Sequence, residues 1–283
     1  MSLRNQSDAP LRWQSQALLV LILAPAIPAV AVECVFFAPA SPWFPLRALG
    51  LGALLALAVW RSRAATPGAA LCGGLFTVAL LLVNPGWRSP VWPLLALLVL
   101  TLAATRFGHA RKDALGLGEG RHGRNAAQVT ANLGIAALAA IALRFSVSLA
   151  TPAILNTDAL RLALAAALAE AAADTLSSEL GEVLGGEPRL LTTFRRVPAG
   201  TDGAISVAGS LAGVSAAVVI VVVAMPALGL TAAQAGRVLL AAIAGLLTDS
   251  WLGAVLERRG LLNNDSVNFL STFIAALLAY WIA

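Results

Sequence analysis

Charge is what this chain has least of. Acidic and basic residues make up 12% of its 283 residues, where a soluble domain carries about a quarter. Histidine and cysteine occur twice each and tyrosine once. Cys34 and Cys72 both lie in apolar runs, so no disulfide framework is implied, and they read as small core residues. His109 and His122 sit in a basic loop without partners at ligand spacing, which argues against zinc there. The net charge of +5 does not call for nucleic acid, because membrane proteins collect Lys and Arg in cytoplasmic loops. What the chain has in abundance is apolar surface: 59% hydrophobic residues and a mean hydropathy of +0.84. The expected fold class is an all-α polytopic transmembrane bundle.

Apolar runs separated by Pro, Gly or basic punctuation predict nine helices, near 17–37, 46–60, 69–83, 91–105, 126–149, 159–183, 203–224, 236–256 and 266–283. The second, third and fourth are the shortest. Arg4, Arg12 and the apolar run from Ala17 have the outline of a signal peptide, but the run continues to Phe37 and is expected to stay as a first span. With alternating helices, most of the 19 basic residues fall on one side, from Arg4 through Arg121 to Arg258 and Arg259. The opposite loops, around 38–45, 84–90, 150–158 and 225–235, hold only Arg88. The positive-inside rule then puts the N-terminus in the cytoplasm and the C-terminus outside. The expected setting is a bacterial-type inner membrane with the functional site facing the cytoplasm. Residues 1–105 form the N-terminal membrane helices, and 106–283 carry the motifs.

Asp174 and Asp249 each interrupt a long apolar run. A carboxylate inside the bilayer costs several kcal/mol, so it normally faces water, a cation or a substrate. Both occur in the same frame, Asp174-Thr175-x-x-Ser178 and Asp249-Ser250-x-x-Gly253. The hairpins 159–224 and 236–283 therefore read as a weak parallel repeat. At roughly 100° per residue, Glu170, Asp174, Ser177, Ser178 and Gly181 share one face. So do Asp202, Ser206, Gly209, Ser210 and Gly213, then Gly245, Asp249 and Gly253, then Asn264, Asn268, Ser271 and Thr272, and finally Asn125, Gln128 and Asn132. Gly, Ser and Asn on such stripes also serve plain helix packing. Acids converging at one depth repel one another unless a cation compensates them. Mg²⁺ with phosphate oxygens suits one or two carboxylates, so Asp174, Asp249 and Asp202 are the expected metal ligands. Glu179 lies about 140° from Asp174 and joins them only if the helix breaks near Gly181.

The loop 188–203 is the second signal. Arg189, Thr192, Arg195 and Arg196 precede Gly200-Thr201-Asp202-Gly203 at the head of a helix. Backbone N–H groups at a helix start attract anions, and Arg grips phosphate in bidentate fashion. The spacing is not that of a P-loop. A topogenic basic loop is the competing explanation, and the same ambiguity attaches to 106–124, where Arg124 is the best candidate.

These strings resemble a known family of integral membrane proteins, domain of unknown function 92, also called transmembrane protein 19-like. The resemblance rests on Arg124-Asn125-x-x-Gln128-Val129-x-Ala131-Asn132-x-Gly134, Ala173-Asp174-Thr175-Leu176-Ser177-Ser178-Glu179-Leu180-Gly181 and Pro188-Arg189-Leu190-Leu191-Thr192-Thr193. It continues through Val197-Pro198-Ala199-Gly200-Thr201-Asp202-Gly203-Ala204-Ile205-Ser206, Leu247-Thr248-Asp249-Ser250-Trp251-Leu252-Gly253-Ala254, Asn263-Asn264 and Val267-Asn268-Phe269. Together these cover roughly 120–275. The family includes the phytyl-phosphate kinase of plants and cyanobacteria. The resemblance thus implies a membrane-embedded kinase that moves a phosphoryl group from a nucleoside triphosphate, CTP or another, to an isoprenyl monophosphate. It implies Asp174, Asp249, Asp202 and Glu179 as catalytic residues, with Mg²⁺. Arg124, Asn125, Gln128, Asn132, Ser178, Arg189, Thr192, Arg195, Arg196, Gly200, Thr201, Gly203, Ser206, Ser250, Asn264 and Asn268 would hold lipid phosphate and nucleotide. Two other classes fit the same intramembrane acids: a secondary transporter, and a non-catalytic binder of an anionic or isoprenoid ligand.

Overall fold

A computed structural model describes residues 12–36, 43–84, 86–114, 123–148 and 156–283. Arg4, Arg121 and His122 lie outside these residues, as does most of the 38–45 and 150–158 loops. Among the described residues, nine long helices stand where the apolar runs place them: α1 (Arg12–Val35), α2 (Trp43–Arg61), α3 (Pro67–Val83), α4 (Val91–Arg106), α6 (Ala126–Ser148), α7 (Thr157–Leu184), α8 (Val207–Leu228), α9 (Ala232–Val255) and α10 (Asn264–Trp281). A short α5 (His109–Ala114) was not expected. Among the described residues, α1, α2, α6, α8 and α9, the last with the short 3-10 turn that follows it, have the length and apolarity to cross a bilayer, while α3 and α4 are apolar but shorter.

Helix starts follow local chemistry. Thr66 caps α3 by accepting from the Ala69 N–H at 3.3 Å, with Pro67 at the first helical position. Thr231 and Gln234 form a reciprocal capping box on α9. The seventh apolar run corrects the sequence reading. Its helix begins at Val207 and not 203, because Ser206 is extended and caps it. Ala204–Ile205 (β2) instead pairs antiparallel with Arg189–Leu190 (β1). The loop 188–205 is therefore a small β-ribbon laid over the end of α9.

The bundle is built around α7, which packs on α4, α6, α8, α9 and α10. Leu162, Leu164, Leu168 and the alanines from Ala165 to Ala173 are almost wholly buried. Small side chains let the neighbouring helices approach closely, as helix association in lipid requires. α2 lies at the edge, packs chiefly on α3, and turns Leu46, Leu54 and Trp60 outward. Such outward apolar surface suits a helix whose solvent is lipid. Consecutive long helices alternate in direction. The starts of α1, α3, α6, α8 and α10 and the ends of α2, α4, α7 and α9 gather around two cavities at one end of the bundle.

Candidate functional site

The larger cavity, about 670 Å³, is polar. α7 and α9 descend side by side and bring Asp174 and Asp249 to its floor, so residues 75 positions apart share one wall. The Asp249 carboxyl meets that of Asp174, and Glu170 and Glu257 act on it at longer range. Glu170 lies one turn deeper on α7 and is fully buried. Its carboxylate lies beside the Ser271 hydroxyl but makes no hydrogen bond of good geometry among the described residues, and Asp249 Oδ2 is buried without a partner. Gly245 makes room for Glu170, since a Cβ there would fall 2.6 Å from Glu170 Cγ. Three acids thus cluster on α7 and α9, Glu170 fully buried and Asp174 and Asp249 half-buried on the cavity wall.

The ribbon supplies the facing wall through Gly200, Thr201, Asp202 and Gly203. Gly203 is the reason it sits so close. Its φ is +70°, and a Cβ would fall 2.1 Å from the Ala254 backbone nitrogen. Gly253 reciprocates, with only 2.7 Å between its would-be Cβ and the Gly203 nitrogen. Two backbones in contact place Asp202 on the same cavity as Asp249.

Three helix N-termini complete the walls. At α6, Asn125 and Gln128 cap each other: the Gln128 N–H donates to Asn125 Oδ1 at 3.0 Å, and the Asn125 N–H to Gln128 Oε1 at 2.8 Å. At α8, the Gly209 N–H donates to Ser206 Oγ at 3.0 Å. At α10, the Ser266 N–H donates to Asn263 Oδ1 at 2.9 Å. Each helix start carries partial positive charge. Arg124, Asn125, Gln128, Asn132, Ser178, Ser206, Ser250, Asn264 and Asn268 all border the cavity. Asn268 Nδ2 donates to Asn132 Oδ1 at 3.3 Å, joining α10 to α6. Ser178 turns its hydroxyl back to the Asp174 carbonyl at 3.0 Å.

Other residues named by the sequence stand elsewhere. Arg189, Thr192, Arg195 and Arg196 are exposed on the ribbon and do not border the cavity. Arg189 Nη1 donates to the Phe194 carbonyl at 3.0 Å, and Arg196 pairs with Glu187. Glu179 borders the cavity, but α7 runs unbroken through Gly181 to Leu184. Its carboxylate instead pairs with the buried Lys112 of α5 and accepts from Thr105 Oγ1 at 3.3 Å, tying α4 and α5 to α7.

The structure also adds residues. Arg12, Ser15 and Gln16 of α1 reach the cavity. Ser15 Oγ donates to Asp265 Oδ2 at 2.6 Å, and Gln14 Oε1 accepts from the Asn263 N–H at 2.9 Å. These contacts link positions some 250 residues apart, and no local pattern announces them. Glu170 had a signal, its place four residues before Asp174, yet its burial against Gly245 is visible only in three dimensions.

Among the described residues, no three or more His, Cys, Asp or Glu side chains are arranged as a metal cage. A magnesium ion does not need one: it keeps water and commonly takes one or two carboxylates plus phosphate oxygens. The orphaned Asp249 oxygen beside Asp174 fits that demand for hard anionic donors.

Fold and site together define an integral membrane protein with an acid-floored polar cavity at one end of a helical bundle. The chain belongs to the family described as Integral membrane protein DUF92, which matches residues 50–276. It is 43% identical to an uncharacterized membrane protein of Methanocaldococcus jannaschii over 115 residues, 39% of this chain and 46% of that one. It is 33% identical to an uncharacterized membrane protein of Synechocystis over 201 residues, covering 69% of this chain and 73% of the relative. It is 31% identical to the protein VTE6, chloroplastic, of Arabidopsis thaliana over 187 residues, 65% of this chain and 55% of VTE6. The chain thus spans about half the length of the archaeal and chloroplast relatives. No solved structure matches it.

Proposed function

We propose that this protein is a membrane-embedded isoprenyl-phosphate kinase, forming the diphosphate from a lipid monophosphate and a nucleoside triphosphate. The observation that carries the reading is the meeting of Asp174 and Asp249 on the floor of a cavity ringed by helix N-termini. Carboxylates and anion-attracting dipoles in one cavity suit a phosphate ligand accompanied by a cation. The family resemblance supplies the substrate class.

In this reading an oxygen of the lipid monophosphate attacks the terminal phosphorus of the nucleotide. The new P–O bond forms as the bond to the nucleoside diphosphate breaks, and the diphosphate leaves. The acceptor is already anionic, so no strong general base is required, which suits a wall that has no histidine among the described residues. Such transfers depend mainly on positioning and charge neutralisation. Asp174 and Asp249, with Asp202 across the cavity, would hold Mg²⁺, which when bound neutralises developing charge on phosphoryl oxygens. Arg124 and Arg12, the arginines on the wall, and the starts of α6, α8 and α10 orient the anionic groups. Asn132 and Asn268, already bonded to each other, offer further donors. We place the cavity on the cytoplasmic side, because Arg12, Arg61, Arg63, Arg106, Arg124, Arg258 and Arg259 lie on its end of the bundle. The two C-terminal hairpins act as a parallel repeat, each contributing one aspartate from within a long helix, Asp174 or Asp249, and one capped helix start.

The test is turnover by purified protein in lipid nanodiscs supplied with C20 isoprenyl monophosphate, Mg²⁺ and each nucleoside triphosphate. Diphosphate formation that disappears in Asp174→Asn supports the reading. Folded protein that yields no diphosphate with C10 to C20 monophosphates, or that moves the anion across the bilayer instead, overturns it.

A further inference from the structure

The second cavity lies between α2, α3, α4 and α6 and measures about 460 Å³. Its inner wall is mainly apolar, with Leu55, Val59, Leu94, Leu98 and Leu133 around it and the hydroxyls of Thr77 and Thr101 between them, and among the described residues no carboxylate borders it. α3 and α4 scarcely touch, and the cavity fills the gap between them. It runs along α4 from Leu94 to Arg106, about 18 Å at 1.5 Å per residue. Measured against a hydrocarbon core of about 30 Å, that is more than half the thickness. Its volume falls in the range of dedicated small-molecule sites.

The mouth has the opposite chemistry. Arg63, Arg106, His109 and Arg124 ring it. Gly123 and Arg124 border the polar cavity as well, so the two spaces meet at this pair. Their position is fixed by a short parallel bridge. The Arg124 N–H donates to the Ala64 carbonyl at 3.1 Å, and the Arg124 carbonyl accepts from the Thr66 N–H at 2.9 Å. Gly123 has φ +69°, and a Cβ there would fall 2.5 Å from the Ala64 backbone, so the strand lies flat on the α2–α3 turn.

We infer that this cavity receives the hydrocarbon chain of a lipid phosphate whose headgroup lies in the polar cavity, with Arg124 at the junction between them. The inference rests on reading the polar cavity as a phosphate site. An amphiphile with a long apolar chain and one anionic end matches the sequence of surfaces met along this path: apolar wall, cationic ring, then helix N-termini and hydroxyls. A wholly polar ligand has no use for the first, and a neutral lipid none for the second.

A C20 isoprenyl monophosphate carrying a diazirine at the chain end tests this in the intact protein, since photolabelling requires binding but no turnover. Labels on residues 70–80 of α3 or 94–98 of α4, displaced by unlabelled monophosphate, are expected. Labels confined to the outer faces of α8 or α10, or no displaceable label, overturn the assignment. Gly73→Leu sharpens the test. A Cβ at Gly73 meets nothing nearer than Val129 Cγ1 at 3.9 Å, so the added side chain projects into the cavity without disturbing backbone. The affinity for the C20 probe should fall roughly ten-fold, with preference shifting toward C5 and C10 monophosphates. An unchanged chain-length preference in the folded variant contradicts the inference. Labelling of α3 and α4 without diphosphate formation leaves this assignment standing and sinks the kinase reading. Turnover with the label elsewhere does the reverse.

Discussion

The two cavities open at the same end of the bundle yet are built from different stock. The polar one draws on α6 to α10, where Asp, Asn, Ser and Gly recur at helical spacing, with a contribution from the start of α1. The apolar one draws on α2, α3, α4 and one side of α6, whose walls are mainly Leu, Val, Ala and Gly with a few threonines. Polar side chains in a membrane bundle have few roles besides function and interhelical bonding, so the first region announces itself in the sequence. Leu-rich helices look alike whether they pack solidly or leave a channel, so the second does not. The chemistry of such a site is written in residue types, while the space for a hydrocarbon chain is written in helix separation.

The largest effects are expected at the acid floor. Asp174→Asn and Asp249→Asn should each lower turnover by about 10²- to 10³-fold, measured beside an unchanged size-exclusion profile. A variant retaining most activity would show the floor to be structural. Gly203→Ala attacks the same cavity through its backbone. A side chain at a left-handed position, against the Ala254 nitrogen, should destabilise by about 3 kcal/mol, read as a lowered unfolding temperature in detergent. Lys112→Ala strips Glu179 of its partner at the border between the two regions. The loss should be about 3 kcal/mol, and Lys112→Ala combined with Glu179→Gln should recover part of it. The smallest effect is expected from the ribbon. Arg189→Ala, Arg195→Ala and Arg196→Ala should change the nucleotide KM by less than about three-fold, because an exposed pair such as Arg196–Glu187 contributes little. A larger change would move the nucleotide onto the ribbon.

Apolar runs and their punctuation located each of the nine long helices to within a few residues, since helix existence depends on local composition. The start of α8 was misplaced because Ala204 and Ile205 find a strand partner in Arg189 and Leu190, which no helical period reveals. Asp174 and Asp249 recur in one frame of the sequence and border one cavity from α7 and α9, whereas Asp202 reaches it from the ribbon, ahead of the helix that begins at Val207. The arginines of the ribbon share residue type with a phosphate clamp, but burial decides whether Arg meets a ligand or solvent, and the sequence carries no burial for a loop. Glu179 was the instructive case. The helical wheel turned it away from Asp174, and the structure shows what it turned toward, Lys112. The contribution of Arg12, Ser15 and Gln16 was invisible, because it depends on α1 docking against the start of α10.

Manganese reports most directly on a centre shared by α7 and α9. In the presence of isoprenyl monophosphate, the EPR signal of added Mn²⁺ should show one tightly held ion in the wild-type protein. It should be lost to a similar degree in Asp174→Asn and in Asp249→Asn. Mn²⁺ uptake that survives intact in either variant would mean that α7 and α9 do not build one site.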